Sequence, residues 1–169
     1  MNKIIRLLSH DNRFFIDDEN LSYLRTLGVR KYDIDSIELG QILRDYDDGL
    51  YPICHALPYR FITHPDDAKT REEYKQYCRL SRNQIGTDDR SVETFLSLKK
   101  EVLANGYDLS QGAIVVDQFN IILEGQHRCC ILLSEYGENH RVNVVRVWRL
   151  IKNPRTLWRL WRHGMGRRG

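Results

Sequence analysis

The sequence predicts an α+β protein with a small mixed sheet flanked by helices, an N-terminal helical and loop extension, and a C-terminal amphipathic helix. Three observations lead to this prediction. Hydrophobic residues make up 41% and charged residues 29% of the 169-residue chain, the balance of an ordinary folded domain. Apolar runs at 113–116, 121–123 and 141–148 are typical of strands. From 91 to 105, apolar residues recur at intervals of three and four, which is typical of a helix.

The length of the chain suits one domain with a core and is short for two. We therefore predict a core at 91–148, an N-terminal extension at 1–90 that packs on it, and a basic tail at 149–169. From Arg146 onward there are eight Lys or Arg residues and no acidic residue, whereas the residues before it hold 18 basic and 23 acidic side chains. The body is mildly acidic, so attraction to a polyanion or a membrane is expected only in the tail.

The N-terminal extension begins with residues 19–31, which predict a short helix that ends near Gly28. Residues 31–46 start with strand-like alternation and continue with helical spacing from Ile37 to Leu43. We expect a strand that passes into a helix here.

Residues 50–67 contain three prolines and three aromatic residues, which predicts an ordered loop packed against the core. Arg60 and His55 lie in this segment and are candidate substrate-binding residues, because such a loop can direct cationic side chains into a pocket. The alternative is that both side chains belong to the surface.

The next segment, 66–80, predicts a helix with its charges outside and with Tyr74, Tyr77 and Cys78 in the core. A polar loop is predicted at 81–89. Ser91 is the expected cap of the following helix, which should end at Asn105 and Gly106. The expected apolar face of this helix consists of Phe95, Leu98, Val102 and Leu103.

Two strands, 113–116 and 121–123, are predicted around a tight turn. A helix from 129 to 136 should follow and end at Gly137. The last strand, 141–148, alternates in polarity. Its inward residues are expected to be Val142, Val144 and Val147.

Between the second of these strands and the helix, the sequence reads Glu124-Gly125-Gln126-His127-Arg128. Gly125 permits a sharp bend and close approach of a ligand. The start of the helix offers unpaired amides and a positive dipole end, which together make an anion site. Glu124 adds a carboxylate, His127 an imidazole that titrates near neutral pH, and Arg128 a bidentate guanidinium. From spacing alone, a simple structural turn is an equally good interpretation.

The order of elements from Phe95 to Trp148, with this acid-Gly-x-His-Arg turn, resembles the nucleotide-binding core of the ParB/sulfiredoxin superfamily. The nearest form is that of its free-serine kinases, which carry Asp-Gly-x-His-Arg. The Pro58 to Ile62 segment and the Tyr74-x-x-Tyr77 pair also resemble small bacterial ParB-like proteins. The resemblance implies ATP, ADP or CTP with Mg²⁺, bound through its phosphates by the turn. The residues in question are Gly125, Gln126, His127 and Arg128.

The sequence departs from the superfamily at two points, and each departure argues against one of the activities found in the superfamily. Gln126 occupies the position of the reactive cysteine of sulfiredoxins, and Cys129 and Cys130 lie one helical turn too far along to replace it, which argues against a sulfinic acid reductase. No helix-turn-helix pattern follows the core, so a partition protein that reads specific DNA is not expected.

Three functions from different classes remain. The first is a phosphotransferase, in which Glu124 or Glu101 deprotonates the hydroxyl of a small molecule, an amino acid or a sugar, while His127 and Arg128 hold phosphates. The second is a nucleotide-dependent binding module or switch without turnover. The third is a nuclease or nucleic-acid binder. Residue types and spacing do not identify metal ligands, and the four cysteines lack metal-ligand spacing.

The tail predicts a helix after Pro154 with an apolar side formed by Leu157, Trp158, Leu160 and Trp161. Its basic side is formed by Arg155, Arg159 and Arg162. Docking on the domain, with both indoles buried, is the favoured interpretation, and contact with a membrane interface is the alternative. No apolar run approaches the roughly 18 residues of a spanning helix. The adjacent residues Cys129 and Cys130 seldom bridge each other without strain, so a reduced, cytoplasmic setting is expected, with the inner face of the membrane as the site of any peripheral contact.

Overall fold

A computed structural model describes residues 3–80, 88–151 and 153–162 of the chain. Its α-helices are α1 (Lys3–Ser9), α2 (Asp18–Thr26), α3 (Leu57–Thr63), α4 (Ala68–Leu80), α5 (Asp88–Asn105), α6 (Gln126–Tyr136) and α7 (Pro154–Arg162). Its strands are β1 (Val29–Glu38), β2 (Leu43–Tyr46), β3 (Gly49–Pro52), β4 (Val115–Asp117), β5 (Ile122–Glu124) and β6 (Arg141–Arg149). Short 3-10 turns occupy Leu39–Gln41, Ile53–His55 and Leu109–Gln111.

The main sheet has four strands in the order β1, β6, β4, β5. β6 runs antiparallel to β1 and parallel to β4, and β4 runs antiparallel to β5, so the sheet is mixed. Strands β2 and β3 form a separate antiparallel hairpin, which meets β5 through a bridge between Leu43 and Ile121. The predicted α+β class with a small mixed sheet is confirmed. The edge strand β1 comes from the predicted N-terminal extension, which therefore contributes to the sheet itself.

Both faces of the central strand β6 are buried. Val142 and Val144 belong to a core cluster with residues of α3, α4, α5 and α6. Val145 and Val147 belong to a second cluster with residues of α1, α2 and β1. Neighbouring residues of a strand point to opposite faces, so helices cover the sheet on both sides. The expected burial of Val142, Val144 and Val147 is confirmed, but it is divided between two opposite faces.

Several element boundaries follow the sequence prediction closely. α4 covers most of 66–80, and α5 and α6 end immediately before Gly106 and Gly137, which have φ values of +77° and +80°. A glycine in this region ends a helix without the steric cost that a Cβ would add. The two predicted strands around a tight turn are present as β4 and β5.

Two predictions in the first half of the chain are wrong. The helical spacing expected from Ile37 to Leu43 is instead the end of β1, a 3-10 turn and the start of β2. The segment 50–67, expected to be a loop, contains the end of β3 and all of α3. Proline is compatible with α3 because Pro58 lies in the first turn, where the backbone N–H has no partner within the helix and is not needed.

Helix α5 begins at Asp88, so Ser91 lies within the helix and the predicted cap at that residue is wrong. Of its predicted apolar face, Phe95 and Val102 are buried and Leu98 packs against the core, whereas Leu103 is exposed. Most of the polar loop predicted at 81–89 lies outside the described residues.

The tail helix α7 packs against the β2–β3 hairpin. Arg159 donates to Asp45 at 2.5 Å and Thr156 donates to the same carboxylate at 3.2 Å. Leu160 is buried beside Leu50. The expected docking is present, but the expected burial of the two indoles is wrong: they are on the outer side of the helix, because Thr156, Arg159 and Leu160 supply the contact.

Candidate functional site

The predicted strand, turn and helix are present at the candidate site. β5 ends at Glu124, Gly125 adopts the left-handed conformation with φ +78° and ψ 19°, and α6 begins at Gln126. The amide of Cys129 donates to the Gly125 carbonyl at 2.9 Å and closes the first turn. Gly125 has no side chain to cap the first-turn amides that follow it, so the helix start keeps its donor character. The geometry is that of an anion-binding helix start.

The need for glycine at 125 has a second cause beside the sharp bend that was expected and that its φ of +78° shows. A Cβ at this residue would lie 2.8 Å from the Ala113 carbonyl oxygen and 2.8 Å from the Ile114 Cα. The chain that enters β4 therefore fills the space a side chain would need. Packing between adjacent strands requires the glycine here, whatever the ligand.

His127 is held by aromatic residues of two other helices. Its Nε2 lies 3.0 Å from the Tyr74 hydroxyl, and its ring centroid lies 4.6 Å from that of Phe95. Tyr74 is itself buried and stacks on Phe61 at 4.6 Å. Burial raises the pKa of Tyr74 well above its usual value, so the group beside His127 is a neutral hydroxyl.

Arg128 is directed to the loop before β4. Its Nη2 donates to the Gln111 carbonyl at 3.0 Å. The guanidinium also lies against Gly112, where a Cβ would overlap it. Among the described residues, this bond to Gln111 uses one of the five guanidinium donors of Arg128.

Gln126 is buried with its amide nitrogen unsatisfied. The residue is 9% exposed, and its Nε2 has no hydrogen-bond partner in the described structure. Its Oε1 accepts a long bond of 3.5 Å from the Tyr77 hydroxyl. A buried donor without an acceptor costs about 1–3 kcal/mol. Such a cost at the start of a helix marks a place where a ligand oxygen would be bound favourably.

Arg44 on β2 is the second residue with a buried, unpartnered donor, its Nε. Burial raises the pKa of the Cys130 thiol, and the positive charge of Arg44 offsets part of that rise. Cys130 lies one helical turn after Gln126 on α6. Sequence reasoning did not single out Arg44.

The remaining predicted site residues divide into two groups. Glu124 is half-buried at the end of β5 and adjoins the turn directly. Glu101 is exposed on α5, and no hydrogen bond or ion pair in the described structure joins it to the turn. Arg60 is exposed on α3 and pairs with Glu73 of α4 at 3.0 Å. His55 is exposed in a 3-10 turn, with its ring centroid 6.0 Å from that of Tyr51.

Tyr74 and Phe95 were expected only as core residues, yet they hold His127 as well. The Tyr74-x-x-Tyr77 spacing was the available signal, because both hydroxyls reach the first two residues of α6. A cavity of about 590 Å³ lies elsewhere, near the end of α6, where Leu132, Tyr136 and His140 contribute to its lining. None of the five turn residues lines it.

In the described part of the chain, no group of three or more His, Cys, Asp or Glu side chains has the arrangement of a metal site. None of the four cysteines, which all lie in that part, forms a disulfide bond, and burial raises the pKa of Cys129 far above its usual value. No described helix combines the length and apolar character that crossing a membrane requires.

Comparisons with protein-family models, curated proteins and solved structures gave no match to this chain. The ParB/sulfiredoxin resemblance therefore rests on the motif and the order of elements that carry it. The geometry of the turn is an independent observation, and it stands without the resemblance.

Proposed function

We propose that this protein is a nucleotide-binding phosphotransferase of the ParB/sulfiredoxin type, which transfers a phosphoryl group from ATP or ADP to the hydroxyl of a small molecule. One observation carries the proposal. Helix α6 starts at an uncapped glycine turn, and Gln126, in its first position, keeps a buried donor without an acceptor. A phosphate is the ligand that such a set of donors favours most.

The phosphates are bound by the first-turn amides of α6 and by Arg128. Arg128 adds positive charge while its bond to Gln111 fixes the direction of the guanidinium. Gln126 supplies a neutral donor beside them. Mg²⁺ would be held chiefly by phosphate oxygens and water, and it would neutralise charge that develops on the transferred group.

Glu124 is the favoured general base because it adjoins the turn, whereas Glu101 is exposed on α5 and has no bond to it in the described structure. In the reaction, the acceptor oxygen forms a bond to the terminal phosphorus and the bridging P–O bond breaks. The proton of the acceptor hydroxyl passes to Glu124, and the nucleotide leaves shortened by one phosphate.

The first experiment measures binding by thermal shift and calorimetry with ATP, ADP, CTP and GTP. Phosphorus NMR then follows transfer to a panel of hydroxyl amino acids and sugars. Glu124→Gln should keep nucleotide affinity and lose transfer, whereas the matched variant Glu101→Gln should keep both. Absence of nucleotide binding by the wild-type protein would overturn the proposal at its first step.

A nucleotide-dependent switch is the second candidate, and one observation favours it. His127 and Arg128 are both tied to other elements, His127 to Tyr74 on α4 and Arg128 to Gln111. A ligand that competes for these side chains would break their contacts and so change the conformation of α4 and of the loop before β4. Binding without turnover on any acceptor, with changed hydrogen exchange at 74–77 and 109–112, would select the switch over the transferase.

A further inference from the structure

The outer face of α7 is apolar and aromatic, and it has no partner within the described chain. Leu157 is 50% exposed, Trp158 54% and Trp161 67%. Residues spaced by three and four lie on one side of a helix, so these three form a continuous strip. Single exposed apolar residues are ordinary on protein surfaces. Two tryptophans and a leucine on one side of a nine-residue helix instead form a contiguous apolar patch, which is typical of an interaction site.

The orientation of α7 is determined by its opposite side. Arg159 is 9% exposed and donates to Asp45 and to the Asp47 carbonyl. Thr156 is also buried, and Leu160 packs in the cluster of Leu50 and Ile121. These contacts place Thr156, Arg159 and Leu160 inward, and they keep the indoles out of the core.

Positive charge borders the apolar strip. Arg155 and Arg162 are exposed, and the Arg162 guanidinium carbon lies 5.4 Å from the centre of the Trp158 ring. The sequence from Arg146 onward contains eight Lys or Arg residues and no acidic one. An apolar strip of tryptophan and leucine beside arginines is complementary to one kind of surface in particular, a bilayer with anionic headgroups.

We infer that α7 is a peripheral anchor, which inserts Leu157, Trp158 and Trp161 into the interface of an anionic membrane while Arg155 and Arg162 contact its phosphates. Arg159 takes no part in lipid binding, because its guanidinium is occupied by the hairpin. This inference does not depend on the proposed function.

The acidic residues Asp47 and Asp48 lie beside α7 and restrict which side of the helix can approach an anionic membrane. Together with Arg155 and Trp158 they line a groove of about 330 Å³ between the hairpin and α7. Their charge repels an anionic surface. Leu157 and Trp161 do not line this groove, so they form the centre of the inserting face, with Trp158 and Arg155 at the edge that borders the groove.

The test is co-sedimentation of the full-length protein with vesicles of phosphatidylcholine, with or without phosphatidylglycerol. The wild-type protein should bind the anionic vesicles and leave the neutral ones largely unbound. Trp158→Ala with Trp161→Ala should weaken binding about tenfold, because most of the inserted apolar area is lost. Phe15→Ala removes an aromatic side chain that is 55% exposed before α2 and should change nothing. Asp47→Asn with Asp48→Asn should strengthen binding.

A second measurement does not require the tryptophans to be replaced. Brominated lipids should quench the fluorescence of Trp158 and Trp161, whose indoles enter the interface. Absence of quenching, equal binding by the double tryptophan variant, or equal binding to neutral vesicles would each overturn the anchor. A concentration-dependent dimer that dissociates in the double variant, without vesicle binding, would assign the face to a second copy of the chain and would equally overturn it.

Discussion

The Tyr74 hydroxyl lies 3.0 Å from Nε2 of His127, and this contact joins α4 to the start of α6 across 53 residues of sequence. Tyr74→Phe removes the hydroxyl and keeps the ring that stacks on Phe61. We expect the free energy of unfolding to fall by about 1 kcal/mol, the usual contribution of one hydrogen bond. Nucleotide affinity should fall as well, because His127 loses the group that orients it. Urea unfolding and calorimetric titration measure the two effects.

The control for this variant is Tyr23→Phe, since Tyr23 is 44% exposed on α2. It should leave both measurements unchanged. Equal behaviour of the two variants would show that the Tyr74 hydroxyl does not position His127.

Gly125 and Gly106 have nearly the same φ, +78° and +77°, but different surroundings. An alanine at 106 meets nothing within 4 Å and should cost about 1 kcal/mol of stability from the left-handed conformation alone. An alanine at 125 meets the backbone of Ala113 and Ile114, so the cost should reach about 3 kcal/mol or more. Chemical denaturation of Gly125→Ala and Gly106→Ala compares them directly, and equal losses would contradict the packing argument.

Gln126→Met replaces a buried amide that has no partner for its nitrogen with an apolar side chain of similar size. The ligand-free protein should gain about 1 kcal/mol of stability, because an unsatisfied donor is removed. Nucleotide affinity should decrease, because the same donor is lost to the phosphates. A gain in stability together with a loss of binding is typical of a residue kept for function.

Gln118→Met is the matched control for Gln126→Met. The Gln118 amide donates to the Arg149 carbonyl at 3.0 Å and accepts from its amide at 3.1 Å. Its replacement should therefore destabilise the protein and leave nucleotide binding intact. A loss of stability in Gln126→Met would mean that its amide is satisfied in solution.

The pH dependence of stability has an identifiable contribution from Asp11. Hydrogen bonds from Arg13 lower its pKa from 3.8 to about 2, and the Tyr32 hydroxyl also donates to it. Because the pKa in the folded state is below that of the unfolded chain, the stabilisation is complete above pH 3.8 and is lost as the pH falls toward 2. Asp11→Asn should cost about 1 kcal/mol at pH 7, since the Arg13 partner is largely exposed and solvent screens the pair.

The measurement is the free energy of unfolding in urea of the wild-type protein and of Asp11→Asn, at pH 7 and at pH 2. The difference between them should vanish at the lower pH. Asp66→Asn, at an exposed aspartate before α4, should show no such dependence. A difference that persists at pH 2 would mean that the carboxylate charge is not the cause.

The sequence predicts the second half of the fold better than the first. Between Ala113 and Gly137 the strands, the turn and the helix form from residues adjacent in sequence, so local patterns are sufficient to predict them. β1 is different, because its partner is β6 near the other end of the chain. Pairing with a distant strand extended β1 to Glu38, where the local pattern indicated a helix.

At the candidate site too, residues that are consecutive in sequence could be predicted, whereas residues brought together by packing could not. The turn from Glu124 to Arg128 is visible in the sequence because its residues are consecutive. Tyr74 and Phe95 come from two separate elements, and their contacts with His127 on α6 depend on tertiary packing. The orientation of α7 was missed for a related reason: the apolar stripe predicted burial, but the ion pair between Arg159 and Asp45 turned that stripe outward.

The pairing of β1 with β6 has a consequence for how the chain acquires its structure. Asp35 and Arg146, bonded across these strands at 2.7 Å, are separated by 111 residues. On a ribosome, β1 leaves the tunnel long before β6 is made, and until then it has no partner on which to form the sheet. Truncation before β6 would leave an unpaired strand exposed to aggregation. Late assembly of this sheet makes chaperone dependence during synthesis an intrinsic property of the topology.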